Sequence, residues 1–219
     1  MRYRMPLAIW LLTLVAANDA LRILVCFPMT SKSHSILGQG VVDRLLDAGH
    51  EVVHITSYPK GKPVPNLKEL NVSSIGDSFR KEAEETDAFK IKSMIGNNFG
   101  DSLIFPIFTY SMHKSLLEEP SVVQLFSDPK EKFDAVILEW FFSEINVGIP
   151  ALFEAPLIWL CSTEPHWQVL RLIDEVPNPS YTVDIFSTYR APLDFFQRIE
   201  QLWKTTKKYL LLNARPSRF

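Results

Sequence analysis

Two kinds of hydrophobic pattern alternate along this chain. Short apolar blocks without polar alternation occupy Arg22 to Phe27, Glu51 to Ser57, Phe133 to Leu138 and Pro156 to Cys161. Blocks of that length, rich in Val, Ile and Leu and closed by Pro, predict strands buried on both faces of a parallel sheet. A more polar block, Leu67 to Ser73, predicts a further strand. Between the first two blocks Leu37, Val41, Leu45 and Ala48 recur at helical spacing. Ser33 or Ser35 can cap that helix, and Gly49 stops it. Phe79 to Met94 predicts a strongly charged helix whose run Arg80 to Glu85 is a solvated face. Ser121 to Phe126 predicts a short helix. Phe141 to Phe153 predicts another, kinked at Pro150, which removes a hydrogen-bond donor. Phe195, Phe196, Ile199, Leu202 and Trp203 make a helical stripe near the end.

Strands alternating with helices imply an α/β, Rossmann-like, doubly wound parallel sheet. In such sheets ligands bind beyond the carboxyl ends of the strands, where the strand order reverses. The segments to inspect are therefore Met29 to Ser35, Ser57 to Lys60, Glu139 to Phe142 and Ser162 to Trp167. Two residues there carry chemistry. His34 lies in the polar loop after the first strand, and Glu139 ends the strand that closes at Leu138. In the order 3-2-1-4-5-6 the first and fourth strands are neighbours, so the two side chains can meet at one rim. A carboxylate on one imidazole nitrogen fixes the tautomer and leaves the other nitrogen to take a proton from a hydroxyl. The plainer alternative is a surface histidine in a loop. His50 and His54 flank one strand about 13 Å apart, too far for one metal, and read as structural. No metal-ligand motif, P-loop or nucleophile elbow occurs. The first loop, Pro28-Met-Thr-Ser-Lys-Ser-His34, lacks the glycines of a dinucleotide site, which argues against a nicotinamide or flavin there.

Composition narrows the class. The 219 residues carry a net charge of −2, which argues against nucleic acid and other polyanions as partners. An apolar fraction of 47% suits a folded domain with a real core. Arg2 and Arg4 lead an uncharged run, Pro6 to Ala17, followed by small residues at Ala16, Ala17 and Ala20. This is the layout of a secretory signal peptide over residues 1–20; an uncleaved anchor or a core helix is the alternative. Its run of about twelve residues is too short to span a bilayer. Such a leader places the chain in the secretory pathway, in the lumen of the endoplasmic reticulum. Asn71-Val72-Ser73 is then an acceptor for N-glycosylation, whereas Asn178-Pro179-Ser180 is not. Cys26 and Cys161 each sit in an apolar run and read as buried thiols rather than a disulfide framework.

The string Arg22-Ile-Leu-Val-Cys-Phe-Pro, then Ser33-His34-Ser35, then Leu45-Leu-Asp-Ala-Gly-His-Glu-Val52, resembles the opening of the UDP-glycosyltransferases, with insect members of the glucuronosyltransferase type closest. Phe133-Asp-Ala-Val-Ile-Leu-Glu139 with Ala155-Pro-Leu-Ile158 is similar to that family's fourth and fifth strands. The resemblance covers roughly residues 22 to 212. It implies the N-terminal, acceptor-binding domain of a two-domain GT-B fold, spanning residues 21–212. It implies hexosyl or glucuronosyl transfer from a UDP-sugar to the hydroxyl of a small lipophilic acceptor, with inversion. His34 matches the family base. Glu139 stands where the family usually has a supporting Asp, with Glu144 as a second candidate. Phe99, Phe105, Phe108 and Tyr110 would line the acceptor pocket, as would Trp159, His166 and Trp167; ordinary core packing is the alternative reading for the aromatics.

The same resemblance implies no tightly bound cofactor and no metal. UDP-sugar would be a co-substrate bound mostly by a second domain, where family members also carry a transmembrane anchor. Residues 213–219 do not continue the family pattern, and the expectation is a chain truncated before the second domain and inactive alone. An alternative is a non-catalytic small-molecule-binding or regulatory chain that pairs with a full-length transferase. Homo- or hetero-oligomers fit either reading. Peripheral membrane contact would run through Ile104 to Tyr110 or the final helix.

Overall fold

The computed structural model describes residues 20–77, 104–163 and 167–213, apart from 179, 181, 185, 186 and 188. The expected leader, the charged helix expected over Phe79 to Met94, Phe99 and His166 lie outside the described residues. Five strands form one sheet in the order β3-β2-β1-β4-β5: β1 (Arg22–Phe27), β2 (Glu51–Thr56), β3 (Leu67–Asn71), β4 (Ala135–Trp140) and β5 (Leu157–Cys161). All four pairings are parallel. The fold is the Rossmann-like α/β sheet expected, with the first and fourth strands adjacent. Ile23 faces Ala135 and Cys26 faces Leu138 across that pair.

Side chains alternate between the two faces, as the pleat requires. Val25, Phe27, Val52 and Ile137 pack under α1 (Lys32–Asp47), against Val42. Leu24, Cys26, Val53, Ile55, Val136, Leu138 and Trp140 pack on the other face with Met112 and Leu116 of α2 (Ile104–Glu118) and with Val122 and Leu125 of α3 (Pro120–Ser127). Glu139 shares its parity with Ile137 and is therefore turned toward α1. At the amino ends of the strands Arg22 fixes β1. Its guanidinium bonds Glu51 at 2.7 Å and Glu131 at 2.6 Å, and lies 4.8 Å from the Phe133 ring centre. Its backbone N–H donates to Asp134 Oδ2 at 2.7 Å.

Three expectations are corrected. The N-cap of α1 is Ser31, not Ser33 or Ser35, so His34 sits in the first helical turn rather than in the loop. β4 runs on through Glu139 to Trp140. Phe141 to Phe153 is not one helix. Phe142 takes φ 53°, and the chain then forms a 3-10 turn (Ile145–Gly148) and the short α4 (Ile149–Leu152). Pro150 falls in the first turn of α4, where its missing N–H has no partner to lose, so it starts a helix instead of kinking one.

After β5 come α5 (Trp167–Arg171) and α6 (Phe195–Asn213). The helical stripe of α6 exists but is not core: Phe195, Phe196 and Trp203 are two-thirds or more exposed, while Gln201 is buried. Lys208 anchors the helix through Asp184 at 2.9 Å. Among the described residues no helix is long and apolar enough to cross a membrane.

Gly38 lets α1 approach the sheet. A Cβ built there would lie 2.6 Å from Cγ of Phe27, whose ring is fully buried and has nowhere to move. Gly38→Ala is expected to destabilise the domain by about 1–3 kcal/mol, the usual cost of overpacking a core. Urea unfolding checks this: the midpoint falls at constant slope. An unchanged midpoint would show that α1 is free to shift.

Candidate active site

The loop between β1 and α1 is pinned from the neighbouring strand. Ser57 Oγ donates to the Pro28 carbonyl at 2.9 Å, and the Tyr58 hydroxyl donates to the Thr30 carbonyl at 2.6 Å. These bonds, with the close seat of Gly38 on Phe27, fix where the first turn of α1 stands above the carboxyl end of the sheet. His34 projects from that turn. Glu139, one residue from the end of β4, projects from the adjacent strand on the same face. The sheet order thus brings together two residues far apart in sequence.

The imidazole Nδ1 of His34 and Oε1 of Glu139 are hydrogen-bonded. The Glu139 side chain is completely buried, whereas 15% of the His34 side chain reaches solvent. Burial pushes the Glu139 carboxyl above its ordinary range, and the bond and charge of His34 draw it part of the way back. Its second oxygen, Oε2, is buried and has no hydrogen-bond partner among the described residues. Among the described residues the imidazole supplies the only charge-assisted bond to this carboxylate. With Nδ1–H donating to Glu139, the lone pair of His34 lies on Nε2, which forms no hydrogen bond among the described residues. An imidazole held in this way is able to accept a proton at Nε2.

Phe141 meets the His34 ring edge-on, with centroids 4.5 Å apart and planes at 75°. Sequence reasoning placed Phe141 in a segment to inspect but gave it no role. It shares the parity of Ile137 and Glu139, so the direction of β4 itself turns it toward α1. Cys26 is buried in the sheet, and burial together with the Glu139 charge pushes its thiol well up, so it stands as a neutral core group and no nucleophile. Cys161 is half-buried with Sγ 3.1 Å from Thr163 Oγ1, and both cysteines are free.

The other expected positions scatter. Phe108 and Tyr110 lie half-buried on α2, and Phe105 lies on the same helix. Trp159 is half-buried against the core on the α2 face. Glu144 is the N-cap of the 3-10 turn; the acid on His34 is Glu139. Asn71 ends β3, exposed, with Oδ1 accepting from the Ser73 N–H at 2.9 Å. His50 accepts at Nδ1 from the Leu21 N–H, at 3.2 Å. His54 is fully buried in β2. Among the described residues no three metal-ligating side chains cluster. A cavity of about 400 Å³ between the α5 segment and α6, lined by Trp167, Val176, Pro177 and Tyr209 among others, holds neither His34 nor Glu139.

Comparison with known proteins bears out the resemblance. The chain is 28% identical over 203 residues to UDP-glucosyltransferase 2 of Dactylopius coccus, an alignment covering 91% of this chain and 38% of that protein. A second UDP-glycosyltransferase of the same species is also 28% identical, with 89% of this chain and 36% of the relative covered. An ecdysteroid UDP-glucosyltransferase of Lacanobia oleracea granulosis virus is 24% identical over 140 residues, 64% of this chain and 30% of its own length. The chain therefore spans between 30% and 38% of the length of these curated relatives. No protein-family model and no solved structure matches it.

Proposed function

We propose that this chain, a relative of UDP-glycosyltransferases, forms the acceptor-binding half of an inverting UDP-sugar transferase in which His34 is the general base. The observation that carries the reading is the bond between His34, on the first turn of α1, and the buried Glu139 of β4. In the proposed reaction Nε2 of His34 takes the proton of an acceptor hydroxyl. The oxygen attacks the anomeric carbon of the sugar as the bond from that carbon to the UDP oxygen breaks, and UDP leaves with the electron pair. Attack from the face opposite the leaving group inverts the carbon. The proton rests on the imidazole, and Glu139 balances the charge that results.

The donor-binding residues belong, on this reading, to the part of the relatives that the chain does not span. Because holding both substrates in line supplies much of the rate of a two-substrate reaction, the chain by itself turns over negligibly. Phe108 and Tyr110 of α2 supply apolar wall for a small lipophilic acceptor, as ligand pockets prefer. Lumenal residence, glycosylation at Asn71, peripheral membrane contact and pairing with a full-length transferase belong to the same proposal.

The test uses the full chain and two probes, 1-naphthol and UDP-glucose, followed by tryptophan fluorescence and calorimetry. The expected result is saturable binding of naphthol, retained in His34→Ala, with no heat from UDP-glucose. Absence of any naphthol binding would remove the acceptor-half reading. Tight UDP-glucose binding would place the donor site in this chain instead.

A further inference from the structure

The cavity beside α6 holds neither residue of the dyad and has a chemistry of its own. Its volume, about 400 Å³, falls in the range of pockets that take small molecules. The end of α5 shapes one wall. The Glu175 N–H donates to the Leu170 carbonyl at 3.0 Å, the six-residue bond that closes a helix C-terminus, and Asp174 takes φ 56° in that turn. Pro177, which cannot continue a helix, follows along the same wall. Thr206 and Tyr209 of α6 supply another. Trp167 is buried beneath them, anchored by its edge. Its indole N–H donates to Asp184 Oδ2 at 3.2 Å, and Lys208 Nζ donates to the same oxygen at 2.9 Å. The polar edge of the indole is thus already used, and what Trp167 offers the cavity is carbon and π surface.

Charge selects the ligand. Among the described residues the charged groups that line the cavity are Asp174 and Glu175, and neither carboxylate has an ion pair or a side-chain hydrogen bond there. The cations that α6 carries nearby are committed elsewhere: Lys208 to Asp184, and Lys204 to Glu200 at 2.7 Å. Carboxylates repel phosphates and other anions. Aromatic faces and carboxylates both attract a cation, and they do so best when that cation is a weakly hydrated ammonium on an apolar body. We propose that this cavity binds a small hydrophobic ammonium compound, with Trp167 and Tyr209 against its apolar body and Asp174 and Glu175 beside its charge. The site is separate from the His34–Glu139 pair and does not depend on the transfer reaction proposed for that pair.

The experiment titrates the full chain by calorimetry with phenyltrimethylammonium and with 2-phenyl-2-propanol, a soluble neutral compound of nearly the same shape. The ammonium is expected to bind saturably and about fivefold or more tighter than the alcohol, and to weaken as salt is raised. The double variant Asp174→Asn with Glu175→Gln keeps size and removes both charges, and asparagine tolerates the positive φ of position 174. It should weaken the ammonium about tenfold and leave the alcohol unchanged. Thr206→Trp, at an exposed position of α6, fills the cavity and should abolish binding of both probes. Absence of ammonium binding to the wild-type chain would overturn the proposal. So would equal affinity for the two probes, an unmoved ammonium affinity in the double variant, or full binding in Thr206→Trp. A thermal midpoint reports whether each variant folds, and the wild-type comparison of the two probes decides even where one does not. Neither 1-naphthol nor UDP-glucose enters the readout, so this outcome and that of the transferase reading are independent.

Discussion

Replacing His34 by alanine should lower kcat/KM for glycosyl transfer by about 10²–10⁴-fold, the range typical of a lost general base. The measurement joins this chain to the donor half of one of its relatives and follows transfer from UDP-glucose to a phenol. KM for the acceptor should stay near wild type, because the imidazole contributes to the transition state more than to acceptor binding. Glu139→Gln should cost nearly as much. A glutamine amide can donate to Nδ1, which places the ring proton on Nε2 and takes away the lone pair that the proposed reaction needs. Glu139→Asp retains the charge but withdraws it by one methylene from a ring held by α1, so its activity should fall between wild type and Glu139→Gln. Wild-type turnover in His34→Ala would remove the base assignment. Full activity in Glu139→Gln would reduce Glu139 to a packing residue.

This dyad was legible in the sequence because it follows from topology. Unbroken aliphatic blocks mark β1 and β4 as interior strands, and a doubly wound order makes them neighbours. Any charged residue at the carboxyl end of either is then a neighbour of the other. What lay beyond the sequence has a common cause, namely backbone geometry that side-chain identity does not encode. Phe142 at φ 53° is an example, since nothing about phenylalanine favours that region. The break of Phe141 to Phe153 into two short turns follows from it. Ser31 caps α1 through its extended backbone with no side-chain bond, and composition alone does not choose among Ser31, Ser33 and Ser35. The stripe on α6 shows the converse failure. Its period correctly announces a helix, but period alone says nothing of whether the apolar face is covered, and here Phe196 and Trp203 stand in solvent.

A second large effect is expected from acid. His54 of β2 is fully buried on the α1 face, and neither ring nitrogen has a hydrogen-bond partner among the described residues. Burial, aided by the nearby Lys60 ammonium and opposed by Asp43, lowers its imidazole from 6.5 to about 4. Glu69 Oε1 comes within 3.8 Å of Nδ1, beyond hydrogen-bond reach, and Glu69 already accepts the Lys60 N–H. Lys60 in turn is paired with Asp43 of α1. The folded pKa lies below the unfolded one, so between these values the unfolded chain binds more protons than the native one, and stability rises with pH. As pH falls through about 6.5 the native state begins to lose stability relative to its neutral plateau. The loss levels off below about 4, where both states are protonated, and totals about 3 kcal/mol. Urea unfolding from about pH 7 to about pH 4.5 measures this slope. His54→Leu fills the same apolar space without a titratable ring, so its stability should vary less with pH across that interval. The comparison isolates one residue from His113, whose burial acts in the same direction, and from Glu139, whose raised carboxyl acts in the opposite one. Parallel curves for wild type and His54→Leu would mean that the buried imidazole is hydrated or protonated in the native state, and that α1 does not seal the sheet above β2.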